Sequence, residues 1–267
     1  KAVHTELGHD IVTVDTNGTA DYTNVDDAIR EHQQFDMTHI CTPNFTHMKF
    51  ARKLAAVSGI VFVEKPGVAD ELAWKQLVQD YPKTRFMMVK NNMWRDNISD
   101  LQAYAKEATA IRFNWINRDR VPNPGSWFTT KDLAYGGVSR DLMPHLLSLY
   151  IALNPKWISD SITSNVGKQR WQLDQLTGSD YGTVKADGVY DVDDVAIMGF
   201  DSRWFLTANW KSGHEDERNI RCDEQVFELG LCPESAYKAM VEDAIKNIDN
   251  REFWDITKYY SAEYVWW

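Results

Sequence analysis

The sequence is short of the features that mark several protein classes. Its three cysteines, Cys41, Cys222 and Cys232, form no CxxC pair and no metal-like cluster. That spacing points away from a disulfide framework or a zinc module and towards thiols in a reducing, cytoplasmic setting. No apolar run approaches the length of a membrane span, and no signal sequence is recognisable at the start. Positive charge is scarce: 29 Lys and Arg stand against 39 Asp and Glu, a formal net charge of -10. Such a balance disfavours electrostatic binding to nucleic acid or to an anionic membrane surface. No GxGxxG stretch occurs, and there are no internal repeats or low-complexity linkers.

What remains is 267 residues, 43% hydrophobic and 25% charged, the balance of a soluble globular protein with room for one large domain or two ordinary ones. The first part alternates strand-like and helix-like segments. Apolar runs at 11–14, 37–41, 60–63 and 85–89 read as strands. Residues 25–31, 47–58, 70–79 and 96–107 read as helices, with Asp70 as a cap and Gly59 as a stop. This rhythm predicts a parallel sheet covered by helices.

The pattern then changes. Ile111, Phe113 and Trp115 alternate along a longer strand, and a Pro-, Asn- and Gly-rich loop follows at 118–126. A helix is expected from near Pro144 to Leu153. Extended stretches at 161–166, 195–200, 204–210 and 225–229 precede a last helix at 235–248. Strands in succession without helices between them predict a mostly antiparallel sheet. The boundary falls near Thr109, giving domains at 1–108 and 109–267.

Several residues sit where chemistry is done in such folds. Lys65, in Glu64-Lys65-Pro66, ends an apolar strand, which would place a cation at the mouth of the sheet; the plain alternative is a surface lysine. Thr42-Pro43-Asn44 closes another strand. Asn44 or Thr46 there is by default a helix cap, and His47 by default structural. Asp141 precedes His145 by one helical turn. An aspartate so placed can orient an imidazole that gives and takes protons near neutrality. The same spacing also describes an ordinary helix start with a buried histidine. Gly136-Gly137 admits either a tight turn or a close approach to a ligand.

Asp15 follows a buried run and precedes Thr16-Asn17-Gly18. It reads either as a turn aspartate or as the acceptor for an adenosine ribose diol, a role that favours NAD over NADP. The glycine-rich turn that holds a pyrophosphate starts about 20 residues before such an acid. Counting back reaches a point before Lys1, so the expectation is that the first strand and the phosphate loop are not contained in this sequence.

Together the motifs carry a resemblance. Thr42-Pro43-Asn44-x-x-His47, Glu64-Lys65-Pro66 and Gly136-Gly137-x-x-x-Asp141-x-x-x-His145 occur in the order seen in the glucose–fructose oxidoreductase/inositol dehydrogenase family, Gfo/Idh/MocA. The resemblance covers nearly the whole chain. It implies an α/β protein: a Rossmann dinucleotide-binding domain followed by an α/β domain with a large, mostly antiparallel sheet. It further implies a nicotinamide cofactor, a sugar, cyclitol or related polyol as substrate, and a homo-oligomer built through the open face of the second sheet. The residue matching Lys65 would hydrogen-bond the reacting oxygen, His145 would be the acid/base, and Asp141 would support it. Thr42, Pro43, Asn44, His47 and Glu64 would line the cofactor side, and Trp127 and Asn92 the substrate side. Departures are Met93 and Trp94 where arginines are common, Met143-Pro144 where small residues are usual, and Ser148 in place of a second aspartate.

The expected activity is hydride transfer between NAD and a carbinol carbon. Two alternatives stay open: a non-catalytic dinucleotide sensor on the same fold, and NAD-assisted glycoside cleavage. Of the eleven tryptophans, Trp204, Trp210, Trp266 and Trp267 suit either an apolar subunit interface or packing within a domain.

Overall fold

The computed structural model describes residues 1–178 and 181–254, so Trp266 and Trp267 lie outside the described residues. A short helix α1 (Ala2–Glu6) and α2 (Val25–His32) come first. The Asn24 side chain caps α2 by accepting from the Asp26 N–H. Strand β1 (Phe35–Ile40), helix α3 (His47–Ala55), β2 (Ser58–Val63), α4 (Glu71–Asp80) and β3 (Arg85–Met88) follow. Asp70 caps α4 through the Ala73 N–H at 2.8 Å. The three strands pair in the order β1-β2-β3, all parallel.

Two local expectations are corrected. Residues 11–14 form no strand: the segment makes one isolated parallel bridge, Val14 to Tyr22, and Val14 is 41% exposed. A strand persists only with a partner along its length, and no described strand runs beside this one. Gly59 does not stop α3, which ends at Ala55; it lies inside β2. A Cβ there would sit 3.0 Å from the Asp36 carbonyl oxygen, so glycine lets β1 and β2 approach.

The second half contains α5 (Ile98–Glu107), β4 (Ile111–Ile116), three helices α6 (Lys131–Ala134), α7 (Val138–Asp141) and α8 (Met143–Leu153), then β5 (Ile162–Lys168), β6 (Val195–Phe200), β7 (Trp204–Asn209), β8 (Glu217–Cys222) and β9 (Gln225–Glu228). Helices α9 (Glu234–Lys246) and α10 (Arg251–Trp254) end the described chain. The six strands form one sheet in the order β5-β6-β7-β4-β8-β9. Every pairing is antiparallel except β4 with β7, which is parallel. Strand β8 (Glu-Arg-Asn-Ile-Arg-Cys) has too little apolar alternation to be legible in sequence; its antiparallel neighbours β4 and β9 supply the order.

Three apolar cores hold these layers. One face of the parallel sheet packs Val61, Val63 and Phe86 against Leu54, Trp74 and Leu77. Its other face packs Ile60, Phe62 and Met87 against Met240, Val241 and Ala244 of α9. The third core joins Phe113, Leu206 and Ile220 of the large sheet to Leu101 of α5 and Leu147 and Tyr150 of α8. Each fully buried side chain of this kind contributes about 1.5–3 kcal/mol. The chain thus crosses back: α5 packs with the large sheet, and α9 returns to the parallel one. Trp204 and Trp210 are 3% and 1% exposed, so they are packed within the chain. No helix among the described residues is long and apolar enough to cross a membrane.

Candidate active site

The parallel strands end together. Ile40 of β1 leads into Cys41-Thr42-Pro43-Asn44, and Val63 of β2 into Glu64-Lys65. Side chains beyond the carboxyl ends of parallel strands point into the ligand crevice of an α/β sheet. Here that crevice is a cavity of about 380 Å³ lined by both segments, by Trp127 and Phe128, and by the turn that carries Gly136, Gly137, Arg140 and Asp141.

His47 staples the two strand ends from below. It is fully buried, with Nδ1 2.6 Å from the Gly67 carbonyl oxygen and Nε2 2.7 Å from that of Thr42. Burial holds its imidazole below the ordinary pKa, although both carbonyls pull the other way. Asn44 does not cap a helix: its amide donates to the Ala134 carbonyl at 2.8 Å, across to the second half. The Thr46 hydroxyl donates to the Pro43 carbonyl at 2.7 Å.

The turn at Gly136-Gly137 is set by Asp193. The Asp193 carboxylate accepts from the Gly137 N–H at 3.0 Å, the Ser139 N–H at 2.8 Å and the Ser139 hydroxyl at 2.9 Å. A Cβ on residue 137 would fall 1.8 Å from the Asp193 carbonyl oxygen. The second glycine is therefore required by contact with the protein's own backbone. The short helix α7 launched there delivers Asp141.

Lys65 and Asp141 meet in the cavity. Lys65 Nζ donates to Asp141 Oδ1 at 2.5 Å and to the Asp141 carbonyl at 3.0 Å. The other carboxylate oxygen accepts from Trp210 Nε1 at 2.9 Å. Burial alone would raise the Asp141 pKa, but the Lys65 cation and the two donated hydrogen bonds hold it below the ordinary value.

His145 adjoins this pair and is partly exposed, although the residues that line the cavity do not include it. Asp141 does not hold it, because α7 ends at Asp141 and Leu142 separates that helix from α8. Its Nδ1 instead meets the Asn92 amide nitrogen at 3.2 Å, and its ring stacks on Trp115 at 5.1 Å between centroids. Burial and the Lys65 charge lower its pKa to about 3. Asn92 is 2% exposed and faces His145 and Arg95, not the cavity. Asp15 stands apart: it is exposed, and Oδ1 accepts from the Asn17 N–H at 3.0 Å, the contact of a turn aspartate.

The expected residues Thr42, Pro43, Asn44, His47, Glu64, Lys65, Trp127 and Asp141 thus come together, with His145 and Asn92 adjoining them. Trp210, Asp193, Trp115 and Arg95 were missed by sequence reasoning. Trp210, Asp193 and Trp115 meet their partners far along the chain; Arg95 lies three residues from Asn92, but that spacing does not distinguish the contact from an ordinary turn.

Comparison with known proteins gives this arrangement a setting. Residues 4–90 match the family model described as "Oxidoreductase family, NAD-binding Rossmann fold", that of GFO_IDH_MocA. Over that stretch, about a third of the chain, the sequence is similar to the Gfo/Idh/MocA oxidoreductases. A relative named as a putative UDP-kanosamine synthase oxidoreductase subunit, from Amycolatopsis mediterranei (strain S699), is 28% identical over 188 residues. That alignment covers 64% of this chain and 52% of the relative, so the match spans about half of the relative's length.

Solved structures share the fold of this chain. GenD2 from gentamicin A biosynthesis, in complex with NAD, superposes with a TM-score of 0.66 at 18% identity, covering 94% of this chain and 80% of that one. A putative myo-inositol dehydrogenase from Sinorhizobium meliloti 1021 gives 0.63 at 15%, covering 91% and 80%. Levoglucosan dehydrogenase, in complex with NADH and levoglucosan, gives 0.59 at 16%, covering 91% and 78%.

Glu64 tests whether the residues suit a nicotinamide nucleotide. Its carboxyl lines the cavity, and among the described residues it accepts one hydrogen bond, a long one of 3.3 Å from the Lys65 N–H. Burial raises its pKa above the ordinary value against the pull of Lys65. A half-buried acceptor with unused lone pairs suits ribose hydroxyls. The nearby Cys41 thiol is pushed up to about 11 by burial and by Glu64, so it stays protonated. The residues present fit the nicotinamide-ribose half of such a cofactor.

Proposed function

We propose that this protein is an NAD-dependent oxidoreductase that moves a hydride between the nicotinamide and a carbinol or carbonyl carbon of a sugar, cyclitol or related polyol. The observation that carries this reading is the Lys65–Asp141 pair, which brings a cation from the parallel-sheet half onto a turn of the other half inside one cavity.

Bound NAD or NADH supplies the hydride chemistry. The protein supplies position and field. Thr42, Pro43, Asn44 and Glu64 hold the nicotinamide-ribose side, His47 keeps their two loops in register, and Asp15 is available to an adenosine ribose. Lys65 and His145 contact the reacting oxygen, where donors stabilise negative charge as it develops. Asp141 fixes the Lys65 ammonium. Trp127, beside Phe128 at 4.2 Å and Phe45 at 6.2 Å, offers an apolar wall to a sugar ring.

The relatives named for a UDP-kanosamine synthase and for levoglucosan and myo-inositol dehydrogenases support a sugar-like substrate for this chain. We place the protein in the reducing cytoplasm, where its free cysteines are at home. The paired Val166 and Ile197 at one edge of the large sheet, each 41% exposed, and Val226 at the other, 39% exposed, support a homo-oligomer formed through that sheet.

Calorimetric titration with NAD and NADP, followed by NADH absorbance with candidate polyols, tests the reading. NAD binding with turnover supports it. NAD binding without turnover on any polyol would favour a dinucleotide sensor. Binding of neither nucleotide would refute it.

A further inference from the structure

Asn92 has an orientation that its neighbours dictate. Arg95 Nε donates to Asn92 Oδ1 at 2.8 Å, and Arg95 Nη2 donates to the Gly230 carbonyl at 2.8 Å. A guanidinium has donors only, so the amide end facing Arg95 must be the oxygen. The NH2 end therefore faces His145 Nδ1, at 3.2 Å. An amide NH2 cannot accept a hydrogen bond. Nδ1 must carry the lone pair, and a neutral His145 keeps its proton on Nε2.

Two further contacts hold the ring in that state. Trp115 stacks on it at 26° between planes, and the Arg218 guanidinium lies 4.0 Å from the Trp115 ring centroid. Stacking sets the plane of the imidazole; Asn92 sets its rotation within that plane. The charges facing the ring are Lys65, Lys90 and Arg218, with Asp141 opposing them. Three cations to one anion disfavour a second proton on the imidazole.

We infer that Asn92 and Arg95 are positioning residues that lock His145 as its Nε2–H tautomer, so that the site meets the reacting oxygen with two donors and is set for a carbonyl substrate, a ketose or keto-cyclitol. The choice of carbonyl rests on the function proposed above; the tautomer does not. A carbonyl oxygen accepts from both His145 Nε2–H and Lys65 Nζ, whereas a hydroxyl needs one acceptor for its proton. Reduced nicotinamide supplies the hydride and its electron pair, so the nicotinamide is oxidised and the carbonyl carbon reduced. The carbonyl π pair moves onto oxygen, which takes a proton from Lys65 Nζ. His145 remains a hydrogen-bond donor, and solvent returns the proton to the Lys65 amine.

The test is long-range proton–nitrogen correlation NMR on the full chain labelled with 15N-histidine at neutral pH, with His145 assigned by its loss in His145→Gln. The expected result is a protonated Nε2 and a bare Nδ1, in protein free of nucleotide. Asn92→Asp places an acceptor against Nδ1 and should move the proton there or produce an imidazolium. Arg95→Met frees the amide to rotate and should give a mixture of tautomers. An Nδ1–H ring or an imidazolium in the unmodified protein would overturn the proposal, as would an unchanged tautomer in folded Asn92→Asp.

Calorimetry of the unreactive pairs, ketone with NAD and alcohol with NADH, tests the substrate class. The unmodified protein should hold the ketone more tightly. Asn92→Asp should weaken ketone binding roughly tenfold, the loss of about one hydrogen bond. Tighter binding of the alcohol by the unmodified protein would overturn the carbonyl assignment while leaving the tautomer standing. Failure to bind any nucleotide would refute the proposed function, again without touching the tautomer.

Discussion

Lys65 and Asp141 are 76 positions apart and meet at 2.5 Å. Their side chains are each 19% exposed, so the pair is largely withdrawn from water. It is the point at which the end of a parallel strand and a turn of the other half become one site. A desolvated pair of this kind is costly to break from one side, because the surviving charge is left without a partner.

That asymmetry predicts different responses in stability and in turnover. Lys65→Met should lower turnover about 10²–10⁴-fold, the usual range for a proton-handling group, while NAD affinity is largely retained. It should also cost about 3 kcal/mol or more in a urea titration, because Asp141 is stranded. Lys65→Met combined with Asp141→Leu should recover most of the stability and none of the turnover. Unchanged turnover in Lys65→Met would remove Lys65 from the chemistry.

Trp210 holds the other carboxylate oxygen of Asp141. Trp210→Phe should lose about 1–3 kcal/mol through that missing donor. The hydrogen bond helps depress the Asp141 pKa. A depressed carboxylate pKa gives stability that is present above the unfolded-state value of about 3.9 and lost as pH falls through the folded value. The deficit of Trp210→Phe should therefore be full at neutral pH and shrink in strong acid. Chemical unfolding at a series of pH values checks this.

His145 predicts a second acid effect. Its pKa falls to about 3 through burial and the Lys65 charge. The ring is neutral in the folded protein and protonates more readily when unfolded. Its contribution is complete above about pH 6.5 and is lost as pH falls, with a slope approaching about 1.4 kcal/mol per pH unit. Urea midpoints at pH 7.5, 6.5 and 5.5 should decline, and His145→Gln should flatten the decline. A flat profile in the unmodified protein would contradict the neutral state of His145.

Gly137 is predicted to be nearly immutable. The Cβ of Gly137→Ala would fall 1.8 Å from the Asp193 carbonyl oxygen, so the turn must move. A loss of about 3 kcal/mol or more is expected, at the upper end for overpacking. Asp141 should shift with the turn, so turnover should fall as well. Thermal unfolding and NADH absorbance measure the two effects separately.

Much of this architecture was legible locally. The apolar runs that became β1, β2 and β3 are continuous because both faces of a parallel sheet are covered, and both covering cores are present. Asp70 announced α4, since a capping carboxylate acts within one turn. Less was legible where order is borrowed: β8 has a polar sequence and is a strand only between β4 and β9. Residues 11–14 show the converse, an apolar run left with a single bridge.

The same division runs through the site. By itself the sequence determined which side chains end the parallel strands, Thr42-Pro43-Asn44 and Glu64-Lys65, because strand ends and turns are encoded by neighbours in the chain. Only the tertiary structure decided what those side chains do to one another. Asp141, spaced to serve His145, serves Lys65 and Trp210 instead. His145 is held by Asn92, and Asn92 by Arg95. Hydrogen bonds and charges act over a few ångströms of space, and contacts made across 53 or 76 positions leave no period or spacing to read.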